Sequence, residues 1–148
     1  SKMEESVNFL TFYKETFGLK RADAATYSPL VLAYIGDAVY ELMIRTKIVN
    51  DGNMQVNKLH KKSAGLVKAE TQANLIKLLL PHLTEEELAV YKRGRNAKSM
   101  TVAKHATMTD YRMATGFEAL IGWLFLAERF QRLTELTALG LREIGELT

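Results

Sequence analysis

The chain has 148 residues, 47% of them hydrophobic and 25% charged, with no cysteine, which is the profile of one globular domain able to bury its own core. The composition excludes a disulfide framework, a thiolate zinc site and a cysteine nucleophile, so any metal must be held by oxygen or histidine ligands. The net charge of +3 is mild, and its distribution says more: Glu85-Glu86-Glu87 and the last turns gather acids, whereas His60-Lys61-Lys62 and Lys92-Arg93-Gly94-Arg95-Asn96-Ala97-Lys98 are dense basic clusters. Each basic cluster fits a phosphate-binding surface and, equally, an ordinary solvated face. No run approaches the roughly 18 apolar residues of a membrane span and no basic-then-apolar leader opens the chain, so a cytoplasmic protein without a membrane partner is expected.

Taken in chain order, Phe9, Phe12, Tyr13 and Phe17 fall at helical spacing. Ser28-Pro29 is a helix start, with the serine oxygen as cap and the proline ring where its missing N–H is harmless, and predicts a helix from Pro29 into the Lys47 region. Asn50-Asp51-Gly52-Asn53 reads as a turn. A basic amphipathic helix should follow from Asn57 through Leu80, interrupted near Ser63 to Gly65, with Pro81 as its end. Thr84 and Glu87 form a capping box for the next helix, which runs into the second basic cluster. Residues 99 to 110 are polar and read as a loop. Tyr111 to Ala127 reads as a buried helix, and Phe130 to Ile144 as a closing amphipathic one. No alternating strand pattern appears, so the expected class is an all-α bundle, with residues 1–27 as a helical extension and 28–148 as the main domain.

Two of these helices are apolar and carry isolated acids. Between Leu30 and Ile44 the only charges are Asp37 and Glu41; between Gly116 and Ala127 the only charge is Glu118. At about 100° per residue, Leu32, Ile35, Val39, Leu42 and Met43 share one face, while Asp37 lies with Ala33, Glu41 and Ile44 on another. A buried carboxylate needs a cation, a metal or strong donors beside it. If Gly36 and Gly122 let the helices approach closely, Asp37 and Glu118 come within reach of one divalent ion, and hard oxygen ligands suit Mg²⁺. An ion pair with a lysine or arginine satisfies the same requirement, and spacing alone leaves both open. For Glu41 an ion pair with Arg45, four residues on, is the simpler reading. His60, His82 and His105 match no zinc spacing.

Leu32-Ala-Tyr-Ile-Gly-Asp-Ala-Val-Tyr-Glu41 resembles the ribonuclease III signature, and Phe117-Glu-Ala-Leu-Ile-Gly122 resembles that family's second motif. Together with Leu59-His-Lys-Lys-Ser63 and Lys92-Arg-Gly-Arg-Asn-Ala-Lys-Ser99, in that order, they are similar to the Mini-III ribonucleases, over residues 28 to 140. The resemblance implies an all-α ribonuclease III endonuclease-domain bundle without an appended RNA-binding domain, and a homodimer whose two active sites face one RNA duplex. It implies Mg²⁺-dependent cleavage, with Mn²⁺ as a substitute, leaving 5′ phosphate and 3′ hydroxyl ends. The implied substrate is the stem joining the ends of the 23S ribosomal RNA precursor. Asp37 and Glu118 would be the catalytic metal ligands, and Lys61, Lys62, Arg93, Arg95, Asn96 and Lys98 the RNA contacts. Two acids of the ribonuclease III pattern are replaced, by Ala33 and Thr115. A catalytically inactive duplex-binding module is therefore the alternative.

Overall fold

The computed structural model describes residues 9–21, 23–98 and 107–148. Among them there are helices and no strand: α1 (Phe9–Thr16), α2 (Pro29–Asn50), α3 (Val56–Val67), α4 (Ala69–Leu79), α5 (Glu85–Asn96), α6 (Met108–Leu126) and α7 (Phe130–Glu143), with short 3-10 turns at Ala24–Thr26 and Leu80–His82. The all-α expectation holds.

Side-chain caps start three of the helices. Ser28 Oγ accepts from the Val31 amide and Pro29 opens α2; Thr84 and Glu87 exchange both hydrogen bonds of a capping box at α5. Thr107 caps α6 through the Asp110 amide. That cap starts the helix at Met108, three residues before Tyr111, so the loop expected to reach Asp110 ends by residue 107; residues 99–106 lie outside the described residues.

The break in the basic helix falls at Lys68, which is extended (φ −65°, ψ 154°), and not at Ser63 to Gly65, which stay helical. The reason is the supply of donors for the carbonyls that a helix end frees. Thr71 Oγ1 donates to the Gly65 carbonyl at 2.6 Å, Tyr40 Oη to Leu66 at 2.7 Å, and Gln72 Nε2 to Val67 at 2.8 Å. Three successive carbonyls are closed by side chains of α2 and α4, so α3 ends where those side chains wait.

α6 is the axis of the bundle and packs on α2, α4, α5 and α7. From Ala114 to Leu124 every residue except Glu118 is buried, and Phe117 meets Tyr40 edge-on at 5.2 Å. α2 buries Leu32, Ala33, Gly36, Tyr40, Ile44 and Ile48. Of the residues that share a face by spacing, Leu32 is buried and Val39 and Met43 pack on the core from partly buried positions, while Leu42 is exposed; Ala33 and Ile44, placed with Asp37, are inside. The other side of α2, with Val31, Tyr34, Ala38, Leu42 and Val49, faces outward. α1 is helical as its spacing predicts but buries none of its residues; Phe9, Phe12 and Tyr13 are exposed, as is Phe17 just beyond it, and Lys14 ties the helix to Glu128.

Candidate active site

The site is built where the backbones of α2 and α6 touch. A Cβ on Gly36 would run into the Glu118 carbonyl and sit 2.7 Å from the Gly122 amide nitrogen, and one on Gly122 would run into the Leu32 carbonyl. Only hydrogen at both positions lets the backbones of α2 and α6 touch. Asp37, next to Gly36, and Glu118, one turn before Gly122, are carried to the same place. Around α2, Asp37 falls between the buried Ile44 and Ile48, yet it is exposed.

The two carboxyl groups come close enough to act on each other. Burial, then the hydrogen bond to Asp37 and the charge of Asp37, push the Glu118 carboxyl up to about 9, against a smaller opposing pull from a hydrogen bond with Gln72. Burial beside a second acid therefore favours the protonated form of Glu118 at neutral pH. No lysine or arginine is among the groups acting on Glu118: Arg95 lies 5.6 Å over the Tyr91 ring and donates to Asn96. Glu41 pairs with Arg45 at 2.7 Å, as expected.

This arrangement fits a divalent cation. Two carboxyl groups that act on each other, with no lysine or arginine among the groups acting on Glu118, make an acceptor-rich position short of positive charge. Mg²⁺ binds through one or two carboxylates and completes its shell with water and phosphate oxygens. Among the described residues no group of three or more His, Cys, Asp or Glu side chains gathers, so Asp37 and Glu118 would be the protein ligands.

The basic candidates divide into two groups. Arg95 and Asn96 line a hollow of about 360 Å³ with Tyr91, Thr109 and Arg112. Lys61 and Lys62 line another, of about 340 Å³, with Lys47, Asp51 and Glu146. Arg93 and Lys98 are exposed on and just past α5. Neither hollow includes Asp37 or Glu118 among its lining residues. Gly94 links the second basic cluster to the acids, because its missing Cβ lets α5 lie against Gly116 and Ala119 of α6. Two residues escaped the sequence reading. Arg112 had no cluster around it in sequence. Gln72 did leave a signal, as the one polar side chain in the apolar stripe Gln72, Leu75, Ile76 and Leu79.

The Ribonuclease III domain family matches residues 30–129. A Mini-ribonuclease 3 of Clostridium tetani is 52% identical over 120 residues, 80% of either chain. Another, of a Thermoanaerobacter species, is 47% identical over 144 residues, covering 97% of this chain and 100% of that one. The chain belongs to the Mini-ribonuclease 3 family. A crystallised protein of Fusobacterium nucleatum, 31% identical, matches the fold with a TM-score of 0.73 over 78% of this chain and 94% of its own. Where the ribonuclease III pattern carries two further acids, this Mini-ribonuclease 3 family member has Ala33 and Thr115, both buried. The Thr115 hydroxyl donates back to the Tyr111 carbonyl at 3.0 Å, so neither position supplies a carboxylate.

Proposed function

We propose that the protein is a Mg²⁺-dependent endoribonuclease that hydrolyses double-stranded RNA, leaving 5′ phosphate and 3′ hydroxyl ends, and that its substrate is the stem joining the ends of the 23S ribosomal RNA precursor. The observation that carries this reading is the Asp37–Glu118 carboxyl pair at the α2–α6 contact. Mg²⁺, which Mn²⁺ can replace, supplies an activated water and offsets charge on the phosphodiester. Asp37 and Glu118 hold it, and Glu118 must first give up its proton. Lys61, Lys62, Arg93, Arg95, Asn96 and Lys98 take RNA phosphates and 2′-hydroxyls, the features by which A-form duplexes are recognised. In this reading residues 1–27 are an extension on a catalytic domain spanning 28–148, which acts in the cytoplasm as a homodimer with both sites on one duplex. The outward apolar stripe of α2 supports the dimer, because such a patch calls for a partner surface. No helix among the described residues is long and apolar enough to cross a membrane.

The test is cleavage of an end-labelled RNA duplex with Mg²⁺ by the native chain, an EDTA control and Asp37→Asn, with duplex binding recorded in parallel. Cutting by the native chain alone, with binding kept in the variant, is the expected result. The absence of carboxylates at Ala33 and Thr115 favours one rival, a duplex-binding module without catalysis. Binding without cleavage of the precursor stem by every form is its signature.

A further inference from the structure

Gly94 fixes where the end of α5 lies. A Cβ there would stand 2.7 Å from the Ala119 Cβ and 2.9 Å from the Gly116 Cα, so α5 rests on α6 with no side chain between them at this point. Arg95 directly follows Gly94, and Arg112 precedes Gly116 by about one turn of α6. The contact therefore brings an arginine from each helix to one hollow of about 360 Å³, which they line with the buried Tyr91 and the exposed Asn96 and Thr109. Arg95 is held in place: its guanidinium lies 5.6 Å over the Tyr91 ring, and its Nε donates to Asn96 Oδ1 at 3.2 Å. Arg112 is exposed and has no hydrogen bond or ion pair among the described residues.

No carboxylate lines this hollow. Asp110 is two residues from Arg112 and so lies on another side of α6, and between Glu87 and Asp110 the sequence has no acid. The hollow of Lys61 and Lys62 differs, because it contains Asp51 and Glu146, and Asp51 takes Lys47 at 3.3 Å. Two positive charges that converge without an acid repel each other, and an anion between them turns that repulsion into attraction.

We infer that Arg95 and Arg112 together seat one backbone phosphate of the RNA duplex. This rests on the reading of the protein as an enzyme of double-stranded RNA. The planar forks of two arginines match the oxygens of a phosphodiester, and Asn96 and Thr109 offer neutral partners to the 2′-hydroxyls of an A-form groove. Such a contact carries no sequence information; it sets where the duplex lies. Arg112 and Glu118 stand on the same helix, about 9 Å apart along its axis, so the seat fixes the strand relative to the acids.

The experiment is duplex binding by the full chain, followed by fluorescence anisotropy in EDTA over a salt series, with thermal unfolding and Mg²⁺-dependent cleavage measured beside it. Arg112→Gln should unfold at the native temperature and bind about tenfold or more weakly. At saturating duplex it should cut near the native rate with an unchanged Mg²⁺ requirement, which puts the loss in KM. Arg112→Lys keeps the charge without the fork and should recover only part of the binding. Arg95→Gln combined with Arg112→Gln should flatten the dependence of log affinity on log salt by about one, the count for a single phosphate. A flattening of about two places each arginine on its own phosphate and overturns the shared seat. Arg142→Gln removes the same charge from an exposed position on α7 and should bind nearly as the native chain does. A loss there equal to that of Arg112→Gln reduces the effect to net charge and overturns the seat, as does native binding by Arg112→Gln. A native chain that binds the duplex in neither EDTA nor Mg²⁺ overturns the duplex-RNA reading itself.

Discussion

Glu118 is the single residue between Ala114 and Leu124 that α6 does not bury fully, and its proton has a thermodynamic consequence. Its carboxyl stands at about 9 in the folded chain against an ordinary 4.5. Between these values the native state keeps a proton that the unfolded chain releases. Without metal, this residue's contribution is therefore intact below the ordinary value and is lost as pH rises toward the folded one, by at most about 1.4 kcal/mol per pH unit. Thermal unfolding in EDTA across that range should show the native chain losing stability with rising pH and Glu118→Gln losing much less. Mg²⁺ competes with the proton, so at alkaline pH it should raise the unfolding temperature of the native chain and leave that of Glu118→Gln unchanged. Equal slopes in the two proteins would show that the buried proton is not on Glu118.

Glu87 responds to pH in the opposite sense. This side chain is 2% exposed, closes the capping box of α5, and takes Arg132 of α7 in two bonds of 2.8 Å. The Arg132 guanidinium leads the causes that hold its carboxyl below the ordinary range, against the opposing effect of burial. Its contribution is present above that ordinary range and disappears as pH falls through the lowered value. Arg132→Met leaves a buried charge without its partner, at a cost of about 3–5 kcal/mol. The measurement is chemical denaturation at neutral pH. A loss under about 1 kcal/mol would place the pair among ordinary surface bridges.

At the scale of elements, Gly36 and Gly122 set the distance between α2 and α6. Backbone atoms stand where each Cβ would go, and backbone cannot rotate aside as a side chain can. Gly36→Ala should therefore exceed the usual overpacking cost of about 1–3 kcal/mol, lowering the melting temperature by about 10 °C or more. Gly65→Ala is the control, because nothing lies within 4 Å of its Cβ position, and it should be neutral or slightly stabilising in the last helical turn of α3. The glycine contact and the pairing of Asp37 with Glu118 were legible in the sequence, since isolated acids and glycines in apolar helices restrict what those helices can do. The starts of α2 and α5 were legible through Ser28-Pro29 and the Thr84–Glu87 box. The end of α3 was not, because Tyr40, Thr71 and Gln72 fix it from neighbouring helices. Nor was the buried face of α2: a helix apolar all round has no moment to orient it, and the partner helix decides.

At the scale of the whole molecule, α2 is apolar on both sides for two reasons. One side packs on α6; the other presents Tyr34 at 82% and Leu42 at 67% exposure in line with Val31, Ala38 and Val49. These positions recur within a narrow arc over most of a 22-residue helix, which is about 33 Å long. A two-fold axis lying against such a stripe would bury it on both copies at once and bring two Asp37–Glu118 sites to one face of the dimer. Leu42→Glu tests this without touching the core. A two-fold repeats the substitution, so two carboxylates enter the contact, and each additional 1.4 kcal/mol of cost, roughly, weakens association tenfold. Sedimentation should show the native chain as a dimer and Leu42→Glu as a monomer with the same helical circular dichroism. If the two sites must face one duplex, the monomer should also cut RNA more slowly by at least about tenfold at concentrations where the native chain is paired. A variant that stays dimeric would move the interface off α2, and a monomer that cuts at the native rate would show that one Asp37–Glu118 site suffices.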